Sequence, residues 1–364
     1  MYLNTPNFTF FNIKLFYILF SSLIFLENVS AHHAMRAPFT DELISVEGYV
    51  TDFNFRMPHV TISFNVAGEN GVITEWLATA PAPNSLQRRG WNADIIQEGQ
   101  YIRLIGKKSR YNQPIVLLQT SSWDDKDNDY FFEIDPKNNQ VIRTIMGEPE
   151  PTDLSQVEFE RIPLTLEDEI PNLHGLWGRL PGRSSPRPEG RENVPLNKLG
   201  QSIQNQWDPA NDPIFTECAN HGLIRQAISG MPVRITQNQD HLIFQYEEDA
   251  ITRIIYLDER GLGDGSSSDM GSHNAYYNDN KLVIESFNIN SKNTSLNGNV
   301  LSKETTTVET YEHVYHDDYG SMLQGEIIIS DPLFLSDKWT MNWPKYYDSD
   351  YTFFEVDCRI PPSF

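Results

Sequence analysis

The chain has 364 residues, of which 39% are hydrophobic and 21% are charged, and its formal net charge is −22. The apolar fraction is typical of a folded protein and too high for a disordered one. The acidic balance argues against general nucleic-acid binding, which needs cations to neutralise phosphates. The presence of only two cysteines excludes a disulfide-rich scaffold and a four-cysteine zinc or iron–sulfur site. The length predicts two domains, each large enough to bury its own core.

The segment 1–31 has the pattern of a signal peptide. Lys14 precedes a 12-residue apolar run, 15–26, which is too short to span a membrane comfortably. The small residues Val29 and Ala31 predict cleavage after Ala31. Retention as an N-terminal anchor is the alternative, because the positive region holds a single Lys. No later segment approaches about 18 apolar residues, so cleavage would leave no transmembrane segment and a periplasmic or secreted protein.

Export would place the two cysteines, Cys218 and Cys358, in an oxidising compartment. We therefore expect them to form a disulfide, and with no other cysteine in the chain a catalytic thiol is the weaker hypothesis. The bridge would close a loop of about 140 residues and would stabilise the fold by roughly 4–5 kcal/mol in the chain-entropy account.

Residues 32–123 are predicted to form a five-stranded OB-like barrel with one short helix. The pattern runs strand, strand, strand, helix, strand, strand, which is the order of that barrel. The predicted strands are 44–54, 59–66, 72–78, 100–107 and 115–121, and the helix is 83–89. Gly48 lies in the first strand, where such a barrel coils sharply.

Residues 124–173 are predicted to form an acidic connector, with 14 acidic and 4 basic residues. The stretch Glu148–Pro151 alternates Glu and Pro, which favours a stiff, extended chain. Two short strands, 130–134 and 140–145, flank an Asp-Pro turn and predict a hairpin within the connector.

Residues 174–364 are predicted to form a larger antiparallel β-barrel or a sandwich. A helix is predicted over 195–205, because Pro195 can start it and apolar residues recur on one face. Turn residues separate most of the alternating segments that follow. The predicted strands are 232–236, 241–246, 252–257, 281–287, 305–315, 322–330, 338–343 and 351–356.

Four short motifs follow one another in the first part of the chain: Ala31–His33, Met57–His59, Pro83–Leu86 and Arg88–Trp91. In order and spacing they resemble a family of exported bacterial proteins of unknown function. Members of that family start the mature chain at Ala-His-His-Ser, carry Asn-Pro-His after the first strand and keep Arg-Arg-Gly-Trp after the small helix. The resemblance covers residues 31 to about 120. The chain departs from it at Ala34 and Met57, where the family has Ser and Asn.

A second set of motifs lies at Gly175–Trp177, Asp208–Pro209, around Cys218, and at Arg253–Asp258, Leu282–Glu285, Asp331–Pro332 and Glu355–Cys358. These are similar to a region of related exported proteins. Gly175–Trp177 is also similar to the Gly-x-Trp that opens lipocalin barrels, so the larger domain is expected to be lipocalin-like. The chain departs from the pattern at Tyr277–Asn280, where a Trp-x-Gly-Asp turn is usual. The resemblance implies export and β architecture, with no established activity.

Three histidines are candidate metal ligands. Cleavage after Ala31 would make His32 and His33 the first two residues of the mature chain. An N-terminal amine and an imidazole can chelate one ion together, and nitrogen-rich sites of this kind favour copper. His59 would add a nitrogen if the N-terminal arm folds back over the barrel. Solvent exposure of the first two histidines and a backbone hydrogen bond for His59 are the structural alternatives.

Arg88, Arg89 and Trp91 are candidate ligand-binding residues of the first domain. The two guanidinium groups and the indole would hold an anion by bidentate contact and stacking. The structural alternative is that the basic residues compensate the C-terminus of the small helix while Trp91 closes the barrel.

Arg253, Tyr256, Glu285 and Glu304 are candidate ligand-binding residues of the second domain. Arg253 and Tyr256 place one polar group on each face of the same strand. Arg253 and the two glutamates would pair inside a ligand cavity, or else form a solvated pair on the outside.

Signatures of known catalytic sites are absent from the sequence, including Gly-x-Ser-x-Gly, His-Glu-x-x-His and a phosphate-binding glycine loop. We therefore expect non-enzymatic binding of a small molecule or of an envelope protein, without nucleic acid. Copper binding and an envelope hydrolase with two carboxylates about 5 to 10 Å apart are the alternatives.

Mass spectrometry of the N-terminal peptide, recovered from cells that express the full chain, should find His32 as the first residue. The physical reason is the short apolar run followed by small residues at the cleavage site. A peptide that keeps residues ahead of His32 would contradict the predicted cleavage and would remove the amine from the copper hypothesis.

Overall fold

Two β-sheets carry almost all of the regular structure in the computed structural model. It describes residues 38–68, 70–87, 91–123, 130–134, 141–144, 153–181, 187–208, 211–212, 219–290 and 301–357. At 120–123, 130–134, 141–144 and 168 it describes the backbone alone. The described residues belong to one compact unit. The predicted mainly β class is confirmed.

The first sheet is built on five strands that close into a barrel. They are β1 (Phe39–Asn54), β2 (Thr61–Ala67), β3 (Ile73–Thr79), β4 (Tyr101–Ser109) and β5 (Ile115–Trp123), with the helix α1 (Pro83–Gln87) after β3. The order is β3-β2-β1-β4-β5, and β3 also pairs in parallel with β5. This closure confirms the predicted OB-like barrel with one short helix. A hairpin of β6 (Tyr130–Ile134) and β7 (Val141–Thr144) extends the sheet beyond β5.

The close approach of β1 and β2 depends on Gly48. It lies between the buried residues Val46 and Val50 on the inner face of β1. A Cβ at position 48 would overlap the carbonyl oxygen of Asn65 on β2. Because glycine has no side chain, the two strands can coil tightly at this point.

The second sheet has nine strands, and each is antiparallel to its neighbours. The strands are β8 (Gly175–Gly178), β9 (Val233–Gln237), β10 (His241–Tyr246), β11 (Ile251–Tyr256), β12 (Ser272–Asn278), β13 (Lys281–Phe287), β14 (Thr306–His316), β15 (Gly320–Ser330) and β16 (Trp339–Tyr347). Their order is β11-β10-β9-β8-β16-β15-β14-β13-β12. The sheet curls until its end strands β11 and β12 approach each other. The prediction of a larger antiparallel, barrel-like domain is therefore confirmed.

The helix predicted over 195–205 is shorter in the structure, where α2 spans Lys198–Gln204. Its N-cap is Asn197, whose side-chain oxygen accepts hydrogen bonds from the backbone N–H groups of Leu199 and Gly200, both at 3.0 Å. This cap satisfies two N–H groups that have no partner within the helix, so the helix begins here and not at Pro195.

A second short helix, α3 (Gly222–Ala227), was not predicted, and all six of its residues are buried. Its Leu223, Ile224 and Ala227 belong to the same hydrophobic cluster as the inward residues of the nine-stranded sheet. The helix therefore packs into the core of the second domain. Within the described ranges, no helix has the length and apolarity needed to cross a bilayer.

One predicted strand of the second domain is wrong, and two strands were not predicted. Residues 351–356 form an extended segment outside the nine-stranded sheet, which pairs with the first domain through an isolated β-bridge between Met57 and Val356. In contrast, β8 and β12 were not predicted, because β8 has only four residues and the β12 sequence SHNAYYN offers few apolar residues for an alternating pattern. All three errors arise where the partner strand, and not local hydrophobicity, decides the structure.

The C-terminal segment links the two sheets through backbone hydrogen bonds. The N–H of Met57 donates to the carbonyl of Glu355 at 2.8 Å, and the N–H of Asp357 donates to the carbonyl of Met57 at 2.8 Å. An aromatic contact between Phe55 and Phe354, with ring centres 6.2 Å apart, lies beside these bonds. The segment therefore packs against the loop after β1, while the predicted domain boundaries stay predictions.

Glu247, which directly follows β10, holds the same segment from the other side. The hydroxyl of Tyr351 donates to both carboxylate oxygens, at 2.8 and 3.0 Å, and the N–H of Phe354 donates to one of them at 2.9 Å. The side chain of Asn84 in α1 donates to the Tyr351 hydroxyl at 3.3 Å. One buried carboxylate thus connects β10, the C-terminal segment and the first domain.

Candidate ligand-binding interior

Several candidate residues lie outside the part of the chain that the structure describes. They are His32, His33, Arg88, Arg89, Cys218 and Cys358. The N-terminal copper site, the anion site at the end of α1 and the disulfide therefore stay predictions. The same holds for the signal segment 1–31.

His59 and Trp91 are described, and their surroundings differ. His59 is half-buried in the loop between β1 and β2. Trp91 is buried in the core of the first barrel, with its ring centre 6.2 Å from that of Phe53. Among the residues that the structure describes, no group of three or more His, Cys, Asp or Glu side chains is placed to hold a metal ion.

Arg253 lies inside the nine-stranded sheet, where its partner is a carboxylate that the sequence did not single out. Its Nη1 donates to Oε1 of Glu309 at 2.8 Å, and its Nη2 donates to the hydroxyl of Ser286 at 2.9 Å. The hydroxyl of Tyr311 donates to the other oxygen of Glu309 at 2.8 Å. Arg253 is 4% exposed and Glu309 is 0% exposed. The ion pair is therefore almost completely withdrawn from water.

The other three candidates of this domain lie elsewhere. Glu285 is half-buried and accepts a hydrogen bond from the Tyr276 hydroxyl at 3.2 Å. It precedes Ser286 on β13, so its side chain points to the opposite face of the strand from that of Ser286. Glu304 is exposed and precedes β14. Tyr256 is half-buried, with the guanidinium carbon of Arg260 at 4.5 Å from its ring centre. Of the four candidates, Arg253 is the one buried among the inward residues of the sheet.

Strand register brings the partners of Arg253 together. Ser286 on β13 lies directly opposite Thr307 on β14. Thr307, Glu309 and Tyr311 occupy alternate positions of β14 and are all buried, so they share its inner face. We call Arg253, Ser286, Thr307, Glu309 and Tyr311 the inner polar cluster. It draws on three strands, β11, β13 and β14.

The formal charges of the inner polar cluster cancel. Burial is the largest single influence on the pKa of Arg253 and would lower it, but Glu309, Tyr246 and Tyr311 together outweigh burial and raise the pKa, so the guanidinium stays protonated. Burial raises the pKa of the neighbouring Tyr246 to about 12 and raises that of Tyr311 well above its ordinary value. Both phenols therefore stay neutral, and one positive charge faces one negative charge.

A histidine links the two ends of the sheet beside this cluster. β11 and β12 are the ends of the strand order, and no ladder joins them in the described chain. We call this gap in backbone pairing the seam. His273 on β12 bridges the seam, since its Nε2 accepts a hydrogen bond from the backbone N–H of Tyr256 at 2.9 Å. Burial and the charge of Arg253 lower the pKa of His273 to about 4, which keeps Nε2 free to accept.

Two polar atoms of the inner polar cluster have no hydrogen-bond partner among the described residues. They are Nε of Arg253 and the hydroxyl oxygen of Thr307, whose side chain is 1% exposed. Both residues adjoin Ser286, because Arg253 donates to its hydroxyl through Nη2 and Thr307 lies opposite it in the strand register. Because buried polar groups in folded proteins are almost always hydrogen-bonded, this pair marks a place for a further partner.

Two other buried polar residues lie farther along the inner face. Nδ1 of His313 donates to the carbonyl of Asn172 at 2.9 Å, and its Nε2 has no partner in the described part of the chain. Lys345 on β16 donates to the carbonyls of Ser229 and Met231, both at 2.6 Å. Burial lowers the pKa of Lys345 to about 7. These groups tie the connecting segments to the sheet.

Sequence reasoning missed Glu309, Ser286, Thr307 and His273. The sequence of β14, TTVETYEHVYH, carries polar residues at both alternating sets of positions. Alternation therefore could not show which set faces inward. The pairing of the Glu309 carboxylate with Arg253 can be predicted only when the strand order is known.

Comparison with known families supports the resemblance for the first domain. Residues 23–115 match the model of a family of unknown function, DUF6152. The match covers less than half of the chain, and the nine-stranded sheet lies outside it. No curated protein matches the chain. The likeness to proteins of unknown function is thus supported, while export and the individual motifs stay predictions.

Replacing Glu309 by Gln should lower the free energy of unfolding by about 3–5 kcal/mol, because Arg253 would keep a buried charge without its counter-ion. The matched control Glu285→Gln, on the opposite face of the neighbouring strand, should change it by less than about 0.5 kcal/mol. The double variant Arg253→Met with Glu309→Leu should recover most of the loss, since it removes both charges. Urea unfolding measures all three. A Glu309→Gln protein as stable as the wild type would contradict a buried ion pair.

The free energy of unfolding should rise between pH 4 and 6.5 through a contribution from His273. Its folded-state pKa of about 4 lies below its ordinary value of 6.5, so the unfolded chain binds more protons in that range. In His273→Gln, the amide oxygen can still accept the hydrogen bond from the N–H of Tyr256. The contribution of residue 273 to the slope of the free energy of unfolding against pH should then disappear. Urea unfolding across that pH range, with the exposed His174→Gln as control, measures the effect. An unchanged slope in His273→Gln would show that the histidine is not held neutral.

Proposed function

We propose that the nine-stranded domain binds a small molecule inside its barrel and that the protein acts as an exported, non-enzymatic binding protein. The binding site is the inner polar cluster. The proposal of export depends on the N-terminal sequence pattern alone. The proposal of binding depends on the interior of the second domain.

The observation that carries the proposal is the pair of unpartnered buried atoms in the inner polar cluster. Nε of Arg253 offers one N–H donor, and the hydroxyl of Thr307 offers a donor and an acceptor. Leaving such groups buried without a partner costs about 1–3 kcal/mol each. A bound molecule that completes their hydrogen bonds would remove that cost.

The buried ion pair supports binding better than it supports stability alone. Exchange of a buried ion pair for apolar residues of similar volume is often neutral or even stabilising. Arg253 and Glu309 are also supported by Ser286 and Tyr311, so their positions are held by hydrogen bonds. Rigid, pre-oriented polar groups beside buried aromatic side chains are typical of ligand sites.

The proposal can be tested by native mass spectrometry of the full chain, purified from the envelope fraction of expressing cells. A small molecule should remain bound to the wild type and appear as added mass. Thr307→Val should reduce its occupancy at least about 10-fold, which corresponds to loss of about one hydrogen bond. The variant should still fold, because the hydroxyl has no partner among the described side chains.

The matched control is Thr306→Val, the adjacent residue of β14, which is exposed. It should keep the wild-type occupancy, since it alters the same strand on its outer face. Absence of any added mass, together with an ordered water on Arg253 Nε and Thr307 in a crystal structure, would overturn the proposal. Equal occupancy in the two variants would place the bound molecule elsewhere.

A further inference from the structure

We infer that the molecule bound by the inner polar cluster is uncharged and joins an oxygen acceptor to a flat, apolar body. An amide or ketone on an aromatic ring represents this class. The inference rests on the proposed function and adds to it the charge and shape of the ligand.

The inference that the ligand is uncharged follows from the balance of formal charges within the inner polar cluster. Arg253 and Glu309 are 2.8 Å apart and neutralise each other, and the hydroxyls of Ser286 and Tyr311 bring no charge. An anion beside Arg253 would meet the Glu309 carboxylate, and a cation beside Glu309 would meet the guanidinium. A buried ion without its own counter-ion carries a large desolvation penalty. A neutral molecule avoids that desolvation.

The inference that the ligand carries an oxygen acceptor follows from the two unpartnered atoms, Nε of Arg253 and the hydroxyl oxygen of Thr307. Arginine has donors and no acceptor, so the atom that faces Nε of Arg253 must accept a hydrogen bond. The hydroxyl of Thr307 can rotate to donate to the same atom. A carbonyl oxygen has two lone pairs and can accept from both groups at once.

The apolar body follows from the aromatic residues next to the cluster. Phe244 lies directly opposite Arg253 in the β10–β11 pair. Its ring centre is 5.3 Å from that of Tyr311, and the two planes meet at 72°. Trp343 adds a third ring, 6.3 Å from Tyr311. An aromatic body on the ligand would add further contacts of this edge-to-face kind beside the cluster.

Three probes of the same ring size separate the charge states: benzamide is neutral, benzoate is an anion and benzamidine is a cation at pH 7. Binding to the full chain is measured by isothermal titration and by saturation-transfer NMR. Benzamide should bind at least about 10-fold more tightly than either ion. Thr307→Val should weaken benzamide binding by about 10-fold, and Thr306→Val should leave it unchanged.

The outcomes distinguish the two proposals. If benzoate or benzamidine binds as tightly as benzamide and Thr307→Val weakens that binding, the charge inference is wrong and interior binding stands. If a co-purified molecule is lost in Thr307→Val and is found to be an ion, the inference is likewise overturned. If benzamide does not bind, or binds equally well to Thr307→Val, the inferred ligand class is wrong. If, in addition, no molecule co-purifies, the proposed function itself fails.

Discussion

The ion pair between Arg253 and Glu309 is the interaction on which the shape of the second domain depends. β11 and β12 are the ends of the nine-strand order, and no described backbone ladder joins them. Arg253 on β11 reaches past β12 to Ser286 on β13 and Glu309 on β14. His273 adds a hydrogen bond across the seam. Side chains therefore close the sheet where backbone pairing stops, and the closure depends on a few identifiable groups.

A second constraint is the turn after β10, where three consecutive carboxylates bind different parts of the chain. Glu247 holds the C-terminal segment through Tyr351. Glu248 lies 3.6 Å from Arg225 in α3, and Asp249 accepts from His221 at the start of that helix. Burial raises the pKa of Glu247, so its hydrogen bonds offset a real desolvation penalty. The acidic residues of the second domain therefore include groups that organise the fold.

Most strands could be predicted because one face of each is buried and the other is exposed, which leaves a period of two in the sequence. The five-strand order of the first barrel followed from the same pattern. The candidate site could be predicted only in part. Arg253 was singled out because it is the one polar group on its face of the predicted strand, but Glu285 and Glu304 were chosen as its partners in place of Glu309. A strand with polar residues on both faces does not reveal its inner face, and β14 is such a strand.

The sequence by itself determined the mainly β composition, the OB-like order of the first domain and the presence of an arginine in an apolar strand. These are local properties, set by side-chain alternation and turn residues. The tertiary structure decided which carboxylate meets Arg253, that His273 bridges the seam, and that residues 351–357 leave the sheet to join the first domain. Each of these depends on residues far apart in the chain, and only strand register brings them within hydrogen-bond distance.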